Sequence, residues 1–466
     1  MKRIAATLGL LALLGVVPAS AQVNFERYVA LGDSLTAGYV SGGLTQYYQE
    51  RSYPAMLAAQ AGTPDFQLPL VSDPGLPPLL ELLALVPPTI EAPDVAPGVP
   101  LNAELPRPYN DLGVPGANVY DLLFTTGDIT NLLAGNTDNV MHDLILRFPQ
   151  VQDPSTGALI DATALVQAIA LDPTFITVWI GNNDILTAAT AATPIDGVTM
   201  TPVSLFETMY EQAIGTLVAS TDADIVLINI PDVTSIPFTN TVDPFITIPG
   251  VGTVPLESDN GPVSPDSLVT LVASGLIAQG YGLPGGPPLP DDLAIHGGEV
   301  VPGVILRPDE IATINARVAA FNDIIADVAA TYDLPVLDFN RYLREIAGGN
   351  LWIVGGIELS ADFLIGGIFS YDGIHGQNVG YALVASWLID LINDEYGASI
   401  PQVNMSEVLC SNGCAGGGPP TVIPTAKDFV FSKSAADRLL EVFPIRVPEA
   451  QQRTPNTTRR RAATQH

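Results

Sequence analysis

The chain has 466 residues and carries 49 Asp and Glu against 18 Lys and Arg, a formal net charge of −31. So acidic a chain repels phosphate backbones and anionic lipid, which excludes nucleic acid as a partner and electrostatic adhesion to membranes as a role. An apolar content of 47% and a mean hydropathy of +0.32 argue for a folded chain, and the length allows two to three domain-sized units or one large domain with insertions.

In chain order, the first 21 residues read as a secretory signal. Lys2 and Arg3 form a basic start, Ile4 to Pro18 an apolar stretch, and Ala19-Ser20-Ala21 a small-residue cleavage site. Export with cleavage near Ala21 is expected, either to a periplasm or to the medium. The apolar run is short for a membrane span and no comparable stretch follows, so the mature chain is expected to lack an integral membrane segment. Tyr28 to Leu31 then reads as a buried parallel strand, followed by Phe175 to Ile180, Ile225 to Ile230 and the short Val336-Leu337-Asp338. A helix is expected from Pro308, with Ile311, Ile314, Val318, Phe321, Ile325 and Val328 spaced three and four apart. Another follows Gly376, with Val379, Leu383, Trp387 and Leu391 at every fourth position. Strands alternating with helices predict an α/β sandwich of three layers, α/β/α, around a parallel sheet.

Two stretches interrupt this rhythm. Residues 63–115 hold 13 of the 41 prolines and residues 235–306 hold 11 more, so both read as irregular insertions in a body spanning 22–400. Their composition suits either the walls of a cleft or surface padding. The stretch 401–466 reads as a C-terminal extension. It contains the Gly/Pro run 416–420 and a terminal basic run 453–461 expected to be disordered. Cys410 and Cys414 are the only cysteines, which in an exported chain suggests a small disulfide loop. Two thiols and four histidines leave few candidates for a metal site, and none is expected.

Four short blocks carry chemistry. Gly32-Asp33-Ser34-Leu35 places a serine where the first strand gives way to a helix, at the sheet edge where ligands of open α/β sheets bind. Gly113-Val114-Pro115-Gly116-Ala117-Asn118 brings a glycine amide to the start of a helical run. Gly181-Asn182-Asn183-Asp184 follows a strand directly and offers an uncharged amide donor. Ser370-Tyr371-Asp372-Gly373-Ile374-His375 sets an acid three residues before a histidine, so that the carboxylate can reach Nδ1 and leave Nε2 facing the serine. No serine sits in a Gly-x-Ser-x-Gly elbow.

In this order and spacing the blocks resemble the SGNH hydrolases, also called the GDSL esterase/lipase family, from about Tyr28 to Ile392. The resemblance implies an SGNH, flavodoxin-like sandwich with Ser34 as nucleophile. It implies an oxyanion hole built from Gly116, Asn183 and the Ser34 amide, and Asp372 and His375 as acid and base. Acyl transfer of this kind needs no cofactor. The expected substrate is a small-molecule, lipid or glycan ester, cleaved by a carboxylesterase or lipase. Removal of acetyl groups from a polysaccharide is the alternative, and an inactive binding protein of the same fold is disfavoured by the intact set of residues. Asp33 and Asp184 are expected to hold local hydrogen bonds, and His142 and His296 to be surface or loop residues.

Overall fold

The computed structural model describes residues 23–445 apart from 86, 153–155, 297–298, 350–351, 355–356 and 412–428. The expected signal segment, the Gly/Pro run, Cys414, the side chain of Cys410 and the terminal basic run lie outside the described residues. Five parallel strands form the central sheet: β1 (Tyr28–Gly32), β2 (Asp111–Gly113), β3 (Phe175–Trp179), β4 (Asp224–Ile228) and β5 (Val336–Leu337). They are hydrogen-bonded in the order β5-β4-β3-β1-β2. The chain moves outward from β1 to β2, then returns to β3 on the other side. The carboxyl ends of β1 and β3 therefore flank the point where the winding reverses, the usual place for a ligand in such a sheet.

Of the described helices, those that bear most on the site and its cores are α1 (Ser34–Ala37), α2 (Tyr53–Ala61), α3 (Val119–Phe124), α4 (Ala164–Ala170), α5 (Asn183–Thr190), α6 (Val203–Ser220), α7 (Pro308–Tyr332), α8 (Asn378–Tyr396) and α9 (Lys433–Val442). Because strand side chains alternate between faces, the strands other than the short edge strand β2 feed two cores. Val29, Leu31, Ile176, Val178, Ile225 and Leu227 pack with α3 to α7. Tyr28, Ala30, Phe175, Trp179, Val226 and Ile228 pack with α2 and α8. The three-layer sandwich follows from strands that are apolar on both sides. In α7 the residues Ile314, Val318, Phe321, Ile325 and Val328 are buried, as their spacing predicts.

Two stretches differ from the irregular insertions expected. The edge strand β2 lies within 63–115, pairing Asp111 with Ala30; three residues are too few to show a period. The same stretch folds a hairpin of Glu81–Leu85 with Pro88–Glu91, to which Val430–Phe431 adds a third strand. Residues 235–306 form hairpins, the helix Leu271–Ala278, and a small core that includes Leu256, Val263, Val269 and Leu289. Cross-strand pairing, which sequence periodicity does not reveal, orders both.

The buried Asp111 makes stability depend on pH. Burial pushes its carboxyl up to about 8 against a single hydrogen bond from the Gly113 N–H. From about pH 4 to pH 8 the folded chain holds a proton that the unfolded chain has released. Stability therefore falls as pH rises through that window, by up to about 1.4 kcal/mol per pH unit for one group. Asp111→Asn is expected to reduce this fall, measured as urea midpoints at pH 5 and pH 8. An unchanged difference between the two midpoints would contradict the assignment.

Candidate active site

Ser34 opens α1 two residues past the end of β1, and the residue between, Asp33, is the N-cap, its carboxylate accepting from the Leu35 N–H. The short turn lifts the hydroxyl to the carboxyl edge of the sheet. His375 and Asp372 reach it from the loop before α8. There a tight turn, closed by the Gly373 N–H on the Ser370 carbonyl, needs φ of +69° at Gly373, a value that suits glycine. That turn lets Asp372 Oδ1 accept from the N–H groups of both Ile374 and His375, at 2.9 Å each. The same carboxylate presents Oδ2 to His375 Nδ1 at 2.9 Å, and His375 Nε2 lies 2.9 Å from Ser34 Oγ.

Asp372 is fully buried yet ionised. Burial alone would raise its carboxyl, but the His375 charge and the donors from His375 and Ile374 outweigh it and hold it below the usual carboxylate range. Two further donors are a residue of the fourth block to which the sequence assigned no role and a loop amide outside all four blocks. The Ser370 hydroxyl donates to Oδ1 at 3.0 Å and the Gly42 N–H to Oδ2 at 3.1 Å. A hydroxyl, imidazole and carboxylate joined in this way can transfer the serine proton to Nε2 while the carboxylate stabilises the imidazolium.

The other two blocks converge on the same place. Gly116 sits in the turn before α3 with φ of +83°, and a Cβ there would lie 2.8 Å from the Val442 carbonyl oxygen, so two constraints select glycine. Asn183 opens α5 after β3 and donates one amide hydrogen to the Ala117 carbonyl at 2.8 Å. The amide has a second N–H, and both Gly116 and Asn183 line a cavity of about 860 Å³. Asp184 ties the two blocks together: it accepts from the Val119 N–H at 3.0 Å and from the Thr201 hydroxyl at 2.7 Å. Burial pushes its carboxyl up to about 7, against those two hydrogen bonds.

Asn182 has a different task from Asn183. Its side chain is buried and donates to Asp33 Oδ2 at 2.8 Å. Burial pushes Asp33 up to about 6, opposed by the Asn182 and Leu35 donors and the His375 charge. Of the local hydrogen bonds expected, Asp33 keeps only that from Leu35; its bond to Asn182 and those of Asp184 to Val119 and Thr201 instead join segments far apart in the chain. His142 does not lie at the surface: it is buried in the helix Val140–Ile145 and lines the cavity, with Nε2 3.9 Å from Asp121 Oδ1. Its apolar neighbours Val140, Met141, Leu144 and Ile145 are the signal that would have placed it inside. His296 lies in the hairpin strand Ala294–His296.

Among the described residues no three His, Cys, Asp or Glu side chains come together as a metal site. None of the described helices is long and apolar enough to cross a membrane.

Solved structures with similarity to the chain include an acetylxylan esterase from Geobacillus stearothermophilus, 12% identical over 81% of this chain and 98% of that one, with a TM-score of 0.33. An extracellular lipase from Streptomyces rimosus is 13% identical over 78% and 98%, with a TM-score of 0.32. A phospholipase A1 from Streptomyces albidoflavus is 12% identical over 78% and 98%, with a TM-score of 0.30. These likenesses are distant, and no curated protein matches the chain. The family model for GDSL-like lipase/acylhydrolase, by contrast, matches residues 28–388, a span that begins at β1, ends within α8 and takes in all four blocks. With a parallel sheet that brings those blocks to one edge, the chain belongs to the GDSL-like lipase/acylhydrolase family and is an ester-bond hydrolase.

Proposed function

We propose that the protein is an exported serine carboxylesterase or lipase acting through an acyl-enzyme on Ser34. The observation that carries this reading is the hydrogen-bonded chain Ser34–His375–Asp372, 2.9 Å at each link, beside a cavity rimmed by Gly116 and Asn183. As Ser34 Oγ attacks the ester carbonyl, its proton passes to His375 Nε2, and Asp372 fixes the imidazole tautomer. The carbonyl oxygen becomes an oxyanion received by the Gly116 and Ser34 N–H groups and the Asn183 amide. Nε2 then protonates the departing alcohol. Water attacks the acyl group by the same route, giving the acid and free Ser34.

The cavity wall of Leu132, Met141, Met200, Leu205 and Met209 suits an apolar acyl group. Asn118, Asn136 and Asn139 also line it, which favours acetylated polysaccharide as a second reading. Export is proposed from the basic, apolar and small-residue succession of the first 21 residues.

One preparation of the full-length chain from a secreting host tests these points. Its mature mass should place the N-terminus at or near Gln22. In a series of 4-nitrophenyl esters from acetyl to lauroyl, kcat/KM should peak beyond acetyl, with little release of acetate from acetylated xylan. An optimum at acetyl with rapid xylan deacetylation would replace the first reading by the second. A retained N-terminus would remove export.

A further inference from the structure

We propose that Phe443, just beyond α9, is a specificity-determining residue that closes the alcohol side of the site and restricts the enzyme to esters of small alcohols. The inference rests on Ser34 being the nucleophile. In the tetrahedral intermediate the former carbonyl oxygen must face Gly116 and Asn183, while the leaving oxygen must lie within reach of His375 Nε2, which returns its proton. The alcohol therefore departs along the imidazole. That leaves the cavity lined by Gly116 and Asn183 for the acyl group.

The alcohol side is occupied. The Phe443 ring is stacked on the imidazole, 5.6 Å between centroids and 24° between planes. Tyr39 lies against the same imidazole at 4.8 Å and meets the Phe443 ring edge-on at 5.9 Å. With this pair in place His375 is 1% exposed and Ser34 3%. Phe443 also lines the cavity, so its ring is the partition between the acyl space and the imidazole.

The segment that carries this ring is built into the fold. Val430–Phe431 pairs with Thr89–Ile90 from the first Pro-rich stretch, and the Ser432 N–H donates to the Ile90 carbonyl at 3.0 Å. The Phe431 N–H donates to Ser274 Oγ of the second stretch at 2.8 Å. Arg438 donates to the Pro78 carbonyl, and Ala435 and Leu439 bury the inner face of α9. Both insertions thus hold the partition in place. The partition lies outside residues 28–388, the span that the family model matches.

The test uses butyrate esters of ethanol, cyclohexylmethanol and adamantylmethanol, primary alcohols whose leaving-group basicity is nearly matched, followed by titration of released acid. Wild type should favour the ethyl ester. Phe443→Ala should raise the ratio of kcat/KM for the adamantylmethyl ester over the ethyl ester at least tenfold. Phe443→Leu, a smaller perturbation that decides the matter if the alanine variant does not fold, should raise it by an intermediate factor. An unchanged ratio overturns the partition, and so does an equal rise for all three esters, which would make the segment a gate. Ser34→Ala runs in the same assay: activity that survives it defeats the nucleophile assignment, whereas Ser34-dependent activity with an unchanged ratio defeats only the role of Phe443.

Discussion

Ser34→Ala should give a folded protein whose ester hydrolysis has fallen about 10⁴-fold or more, the scale on which serine triads depend on their nucleophile. Folding should survive for a local reason. The Ser34 hydroxyl bonds to His375 Nε2, while the cap of α1 is supplied by Asp33, and alanine is a good helix former at the first helical position. The loss should fall on kcat, because no covalent acyl-enzyme can form, and the remaining rate should reflect only the oxyanion donors acting on bound water. An organophosphate should add one covalent mass to the Ser34 peptide of the wild type and none to the variant. More than a tenth of the activity retained in a well-folded variant, or a label on another peptide, would remove Ser34 from this role.

The parts of the site that were legible in the sequence are the ones set by neighbours in the chain. Asp372 and His375 meet because a tight turn of two residues separates them, and Ser34 stands at the sheet edge because an apolar strand ends just before its Asp33 cap. The long strands and α7 were legible for the same reason, each carrying enough buried residues to show a period or an apolar run. The three-residue β2 carried none. Long-range contacts left no mark either. The Gly42 N–H reaches Asp372 across 330 positions, and Phe443 rests on His375 from beyond a stretch with no regular pattern. His142 was misplaced because a lone histidine outside any block carries no sign of its own; only the apolar residues around it do. The difference between Asn182 and Asn183 was legible as an expectation that one faces the nucleophile, but not that the other is committed to Asp33.

That difference supports the second large effect. Asn183→Ala should lower kcat about 10²–10³-fold, equivalent to about 2.7–4 kcal/mol, while KM stays nearly constant. The reason is that an amide aimed at the oxyanion bonds more strongly to the transition state than to the ester carbonyl. Only one of its hydrogens is held by the Ala117 carbonyl. Asn183→Asp should be no better than alanine, since a carboxylate would repel the developing charge. Asn182→Ala should behave differently. It removes a donor from the buried Asp33 carboxylate, which keeps the Leu35 N–H, so the cost should appear as about 1–3 kcal/mol of stability. Its kcat should fall less than about tenfold. Thermal midpoints read beside kcat and KM separate the two residues. If both variants lose kcat alike, or if Asn183→Ala raises KM alone, the oxyanion hole does not include Asn183, and stabilisation of the intermediate would rest on the Gly116 and Ser34 amides.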